Sequence, residues 1–192
     1  MNGMRPILAI VTLSCAIGGG LHASEPKAGD LIRKQDPPII TRELAEKITP
    51  DNSRVVVDLA RQRASLMLGD AVYIDTPISS GKVTGATPAG KFTILEKQPE
   101  RRASIYGNFV DKFGRVITQG VSMKVDSAPS GTRFIPAPMQ YFCRFNDAGF
   151  GIHAGILPGY PASHGCVRLP EEVARVFFEK VKVGTPVEIR AE

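Results

Sequence analysis

The sequence predicts a mostly-β domain with one helix near its C-terminal end. Three observations carry that expectation. β-Branched and alternating apolar runs recur from Arg54 onward. Fifteen prolines and nineteen glycines in 192 residues favour many turns, hence short strands over long helices. One segment within the domain, around Val173, Val176, Phe177 and Val181, places apolar residues at helical spacing beside good end signals.

The chain is long enough for one domain with a single core and hardly for two. A hydrophobic content of 43% excludes a disordered chain. The net charge of +5 is mild, and its basic residues are scattered with no aromatic interleaving, so nucleic-acid binding is not expected. The charge suits contact with an anionic wall polymer or membrane surface.

Residues 1–23 read as a secretory signal peptide. Arg5 forms a short basic start, an uncharged apolar run follows, and Ala23 ends a stretch suited to cleavage. The apolar run is too short for a confident spanning helix. Export to the periplasm or the wall side of the membrane is therefore expected. Cys15, preceded by Leu13 and Ser14, offers a possible lipid tether, although Thr12 stands where such signals usually carry an aliphatic residue. Trimming removes Arg5 and no acid, leaving 23 basic and 19 acidic residues, or +4.

Residues 24–53 are polar and proline-bearing and read as a linker with a short helix over Ile40–Ile48, with Thr41 as its cap. The main domain is assigned to residues 54–192. "RVVVDLA" is its first strand. "QRASLML" and "AVYIDTPIS" flank Gly69-Asp70 and read as a tight hairpin. "SGKVTGATPAG" is a loop and "KFTILEK" a strand, whereas residues 97–120 are ambiguous and read as a long excursion. "GVSMKV" is a further strand. "APMQYFCRF" alternates, with Met139, Tyr141, Cys143 and Phe145 on one face and Gln140, Phe142 and Arg144 on the other. "GFGIHA" is a strand ending at His153 and Ala154. Pro170, Glu171 and Glu172 suit a helix start, and Gly184 suits its end. "TPVEIR" closes the domain.

The stretch "GIHAGILPGYPASHGCVRLP", Gly151–Pro170, concentrates scarce chemistry. His153, His164 and Cys166 fall within fourteen residues, among glycines and prolines. A cysteine nucleophile needs a base to take its proton and donors for the oxyanion. "SHGC" offers both: Gly165 lets the chain turn beside Cys166, and the amides of His164, Gly165 and Cys166 can converge on an oxyanion. His153 lies thirteen residues before Cys166, across a loop that can fold it back. A thiol so activated is expected to react with alkylating reagents well below the pH at which a free thiol does. Three other readings stay open on spacing alone: a Cys143–Cys166 disulfide, a zinc site of His153, His164 and Cys166, or merely structural histidines.

"SHGCVR", Ser163–Arg168, with His153 before it, resembles the signature of the L,D-transpeptidase catalytic domain. "VVVDLARQRASLMLGD" is similar to that family's opening hairpin, and "SSGKVTGATPAGKFTI" to its Gly-Thr-Pro-Gly segment. The resemblance covers about residues 54–190 and favours the nucleophile over the other readings. It implies a β-sandwich-like mixed sheet with a helix following the catalytic cysteine. It implies peptidoglycan stem peptides as donor and acceptor, and no metal or organic cofactor. Cys166 would attack the carbonyl of the third stem residue, a diamino acid, and expel the terminal D-alanine. His153 would be the base, oriented through the carbonyl of Ala154. The thioester would pass to the side-chain amine of a neighbouring stem, giving a 3→3 cross-link. His164 would support the loop, Ser163 would fix it by hydrogen bonds, and Arg168 would hold it and attract the donor's carboxylate. Two departures stand out: the spacing between His153 and Cys166 is shorter than usual in the family, and Ala154 replaces its common glycine. The same acyl-enzyme resolved by water, or passed to a lysine of a wall-anchored protein, gives the alternatives. A non-catalytic wall-binding domain is the alternative from another class.

Overall fold

The computed structural model describes residues 34–191. The expected signal peptide and Cys15 lie outside the described residues. Eleven strands form two mixed sheets, with one α-helix among the described residues. The strands are β1 (Ile39–Ile40), β2 (Ser53–Asp58), β3 (Arg63–Leu68), β4 (Ala71–Pro77), β5 (Gly90–Thr93), β6 (Glu96–Val110), β7 (Val116–Ser122), β8 (Arg133–Arg144), β9 (Gly151–Ala154), β10 (Val167–Leu169) and β11 (Pro186–Arg190). Helix α1 spans Glu171–Lys180. The six-stranded sheet runs β1-β4-β3-β2-β11-β5 and the five-stranded sheet β10-β9-β8-β6-β7.

One apolar cluster joins them. Val55, Val57, Leu66, Ile74 and Ile189 come from the larger sheet, Cys143, Ile152, Val167 and Leu169 from the smaller, and Val173, Ala174 and Phe177 from α1. Burying a side chain of this size contributes about 1.5–3 kcal/mol, so the cluster is the main favourable contribution to folding. The expected hairpin forms as β3–β4, closed by Gly69-Asp70, and Arg54 braces the turn by donating Nε–H to the Gly69 carbonyl at 2.9 Å and pairing with the Asp70 carboxylate at 3.4 Å. The closing strand β11 is not an edge: it pairs parallel with β2 and antiparallel with β5.

Residues 34–53, read from sequence as a linker with a helix, are joined to the sheet. β1 pairs with β4, only a 3-10 turn forms at Arg42–Leu44, and Ile48 is fully buried. The Thr41 hydroxyl does not cap that turn; it donates to the Val72 carbonyl at 2.9 Å. Lys180, at the end of α1, donates to the carbonyls of Ala45 and Ile48 at 2.9 and 3.0 Å.

Two further expectations are corrected. The ambiguous stretch 97–120 is mostly strand, in β6 and β7. Its pattern is blurred because β6 slips against β8 between Arg102 and Gly107: five steps along β6 match two steps along β8, from Pro138 to Pro136. Those prolines cannot donate ladder hydrogen bonds, and residues 103–106 of β6 have no register partner on β8. The helix ends at Lys180 rather than at Gly184, because Val181 is already extended and turns its side chain into the core; Gly184 sits later, in the turn into β11. In β8 the predicted alternation is interrupted at Tyr141, whose φ is +57°. Cys143 and Phe145 reach the common core, while Phe142 is fully buried on the opposite face.

Candidate active site

The site lies at the β9–β10 end of the smaller sheet. These strands pair in parallel, with Val167 opposite Ile152 and Arg168 opposite His153. Alternation sends Val167 and Ile152 into the core, so Arg168 and His153 share the other face. Cys166 precedes Val167 and therefore falls on the same side as His153, opposite Gly151. A parallel pair needs a crossover, and residues 155–166 supply it without a helix, as a loop.

His153 is buried, and its Nδ1 lies 2.7 Å from the carbonyl oxygen of its own neighbour Ala154. A carbonyl only accepts, so Nδ1 carries the hydrogen and Nε2 keeps its lone pair. Burial pushes the imidazole pKa from 6.5 down to about 4, with Arg168 adding to the fall and the Ala154 hydrogen bond opposing it. His153 is thus neutral at pH 7, with a free basic nitrogen. Ala154 performs this through its carbonyl, for which its side chain is immaterial.

Cys166 is a free, partly exposed thiol; Cys143 is a free, buried one. No disulfide joins them. Burial raises the Cys166 thiol above its ordinary value, and the Gly151 backbone N–H, Arg168 and Arg101 pull it back in part. The expectation of a thiolate at unusually low pH is therefore not met. A thiol shifted in this direction rests protonated at neutral pH. Cys143, deeper in the core beside Ile152, is pushed by burial up to about 12.

The cysteine loop is held from two sides. Ser163 donates its hydroxyl to the Cys166 carbonyl at 2.5 Å and accepts the Gly165 N–H at 3.0 Å. Thr87 donates to the Gly165 carbonyl at 2.8 Å and accepts the Gly81 N–H at 2.9 Å. In a trans peptide the N–H points opposite the carbonyl. Thr87 therefore turns the Cys166 N–H away from itself, leaving it without a partner among the described residues. Of the three amides expected to converge on an oxyanion, that of Gly165 is already committed to Ser163. Those of Cys166 and His164 remain. Gly165 has φ +143°, and a Cβ there would meet the Phe150 ring at 2.5 Å and the Ala86 carbonyl at 2.9 Å, so only glycine fits.

Ser79 and Ser80 complete the support. Ser79 exchanges two backbone hydrogen bonds with Arg168, and the Ser80 carbonyl accepts the Ala162 and Ser163 amides. Thr87 and Ser79 were not among the residues expected from sequence to serve the site. Thr87 lies in the Gly-Thr-Pro-Gly-like segment, so a signal for it was present.

His164 occupies different surroundings from His153. Its ring stacks on Tyr106 at 3.8 Å between centroids and 11° between planes, and its Nε2 lies 3.5 Å from the Lys82 ammonium. Burial, then Lys82 and Arg168, lower its pKa. Tyr106, absent from the sequence reading, is one of the residues displaced by the slip in β6. His153, His164 and Cys166 do not gather as a metal-ligand set among the described residues. Arg168 reaches along the loop, its Nη1 3.5 Å from the Ile156 carbonyl. Arg101 lies over the face of Phe142, 4.5 Å from the ring centroid, and Phe142 in turn tilts against His153 with centroids 6.2 Å apart.

Comparison with known proteins adds the family context. The family model for the L,D-transpeptidase catalytic domain matches residues 52–189. Solved structures of similar fold include an L,D-transpeptidase from Mycobacterium smegmatis, with TM-score 0.54 and 23% identity over 73% of this chain and 59% of that one. An L,D-transpeptidase from Stackebrandtia nassauensis gives 0.52 and 20% over 73% and 56%. L,D-transpeptidase 3 from Mycobacterium tuberculosis gives 0.52 and 18% over 72% and 61%. The chain thus spans less than two thirds of the length of these structures. No individual curated protein matches it significantly.

Proposed function

The chain belongs to the L,D-transpeptidase catalytic-domain family, and from that premise we propose that it is an exported cysteine acyltransferase acting on peptidoglycan tetrapeptide stems. The observation that carries the chemistry is the His153–Ala154 hydrogen bond, which leaves an uncharged Nε2 on the face of the sheet that also holds Cys166.

In this reading Cys166 Sγ attacks the carbonyl carbon of the third stem residue as its proton passes to His153 Nε2. The oxyanion is held by the amides of Cys166 and His164, a contribution of about a hundredfold or more in rate per donor. Collapse breaks the C–N bond to the terminal D-alanine, whose amine takes the proton from His153. The side-chain amine of a second stem then attacks the thioester and gives a proton to His153. The new C–N bond forms, the C–S bond breaks, and the sulfur recovers a proton. The product is a 3→3 cross-link. Arg168 steadies the cysteine loop and attracts donor carboxylate. The site acts in the periplasm or on the wall side of the membrane, with Cys15 a possible lipid tether.

The test is intact-mass spectrometry of the protein with a disaccharide-tetrapeptide, with and without a second stem. A transient adduct on Cys166 followed by a cross-linked dimer is the expected result. An adduct followed only by tripeptide moves the reading to hydrolysis or to another acceptor, and turnover by Cys166→Ala overturns the nucleophile.

A further inference from the structure

Arg101 is the one side chain with a buried nitrogen lacking any hydrogen-bond partner among the described residues: its Nε–H is enclosed and unpaired. Leaving such a donor unmet costs about 1–3 kcal/mol. No carboxylate among the described residues forms an ion pair with it; nearby Glu96 is engaged by Arg144 at 2.9 Å. The guanidinium is held in place by other means. It lies over the Phe142 ring, 4.5 Å from the centroid, a contact of about 0.5–2 kcal/mol.

Phe142 ties that cation to the reacting groups. The ring packs against His153. Its edge lies so close to Gly151 that a Cβ there would stand 2.4 Å from Cε2, and Gly151 lies opposite Cys166. Arg101 therefore sits on the β6 side of the thiol, while Arg168 sits on the β10 side. Its positive charge also favours the thiolate. A fixed cation with a spare, desolvated N–H beside a nucleophile is half of a charge-assisted hydrogen bond.

We propose that Arg101 binds a carboxylate of the donor stem and is a specificity-determining residue for it. Two carboxylates share this chemistry: that of the terminal D-alanine to be expelled, and the free one on the third residue's side chain. The assignment rests on the donor proposed above, but the charge preference at the thiol does not depend on it.

The test compares wild type, Arg101→Gln, Arg101→Lys and Arg102→Gln. Arg102 is the exposed neighbour and serves as a surface control. First, Cys166 is alkylated in competition by iodoacetate and iodoacetamide, and the ratio of adducts is read by mass. Wild type and Arg102→Gln are expected to favour the carboxylate reagent, Arg101→Gln to lower the ratio roughly fivefold, and Arg101→Lys to fall between. Second, KM is measured for the free tetrapeptide, its C-terminal amide and its third-residue side-chain amide. Arg101→Gln should raise KM for the free acid roughly tenfold and leave unchanged the one amide that has lost the partner carboxylate, which identifies the source. An unchanged alkylation ratio in both folded Arg101 variants overturns the proposal, as does an equal loss on all three donors. If Arg101→Gln does not fold, Arg101→Lys decides on the same two readouts. If wild type turns over no stem at all, the donor reading fails while the alkylation ratio still decides the role of Arg101.

Discussion

The Nδ1 of His153 and the carbonyl oxygen of Ala154 lie 2.7 Å apart, so the imidazole is oriented by the backbone carbonyl of the next residue and not by a carboxylate. An acidic partner would raise the imidazole pKa. Here burial dominates and the value falls to about 4. In the proposed reaction His153 therefore serves as base over a wide acidic range. The acid limb of kcat/KM is expected well below the 6.5 of an ordinary histidine, toward pH 4. An acid limb at or above 6.5 in the stem-peptide assay excludes His153 as the base in this state.

The same shift has a stability consequence. The folded pKa lies below the unfolded one, so between about pH 4 and 6.5 the unfolded chain binds more protons. Stability contributed by neutral His153 is complete above 6.5 and lost as pH falls through that window, by about 3 kcal/mol in all. Urea unfolding at several pH values should show this slope. In His153→Gln it should be smaller by that amount.

The two thiols should separate by accessibility. Cys166, partly exposed, is expected to alkylate first, at a pH near or above that of a free thiol, and Cys143 only on unfolding. Cys166→Ala should abolish turnover and keep the thermal transition. Cys143→Ala should cost about 1–2 kcal/mol of stability through lost packing, with little loss of activity. Prior labelling of Cys143 in the folded protein contradicts this arrangement.

Thr87 bears on the proposed reaction through the Gly165 carbonyl, while its hydroxyl also accepts the Gly81 N–H. Thr87→Val keeps the volume and removes the hydroxyl, freeing the peptide that presents the Cys166 N–H. We expect kcat to fall roughly tenfold with KM nearly constant, and stability to fall by about 1–2 kcal/mol. Thr87→Ser should restore most of the rate. An equal loss in both variants would show that packing, not the hydroxyl, matters.

Local chemistry made much of this protein legible in one dimension. β-Branched runs marked the strands of the larger sheet, Gly69-Asp70 marked the hairpin, and Pro170 with two glutamates marked the start of α1, because each signal acts over a few residues. "SHGCVR" and His153 carried the family resemblance for the same reason: they lie close in sequence. The β6–β8 slip was not legible, since it depends on prolines more than thirty residues away. Tyr106, which stacks on His164, lies within that slip. Nor could spacing reveal that Thr87 orients the Gly165 peptide, that Ser163 consumes the Gly165 amide, or that Arg101 stands over Phe142. The sequence by itself determined which reactive groups this domain carries and that they sit on a β scaffold. The tertiary structure alone decided their protonation and their partners, because burial and hydrogen bonds from distant strands, not neighbours in the chain, set the charge of His153 and the state of the Cys166 thiol.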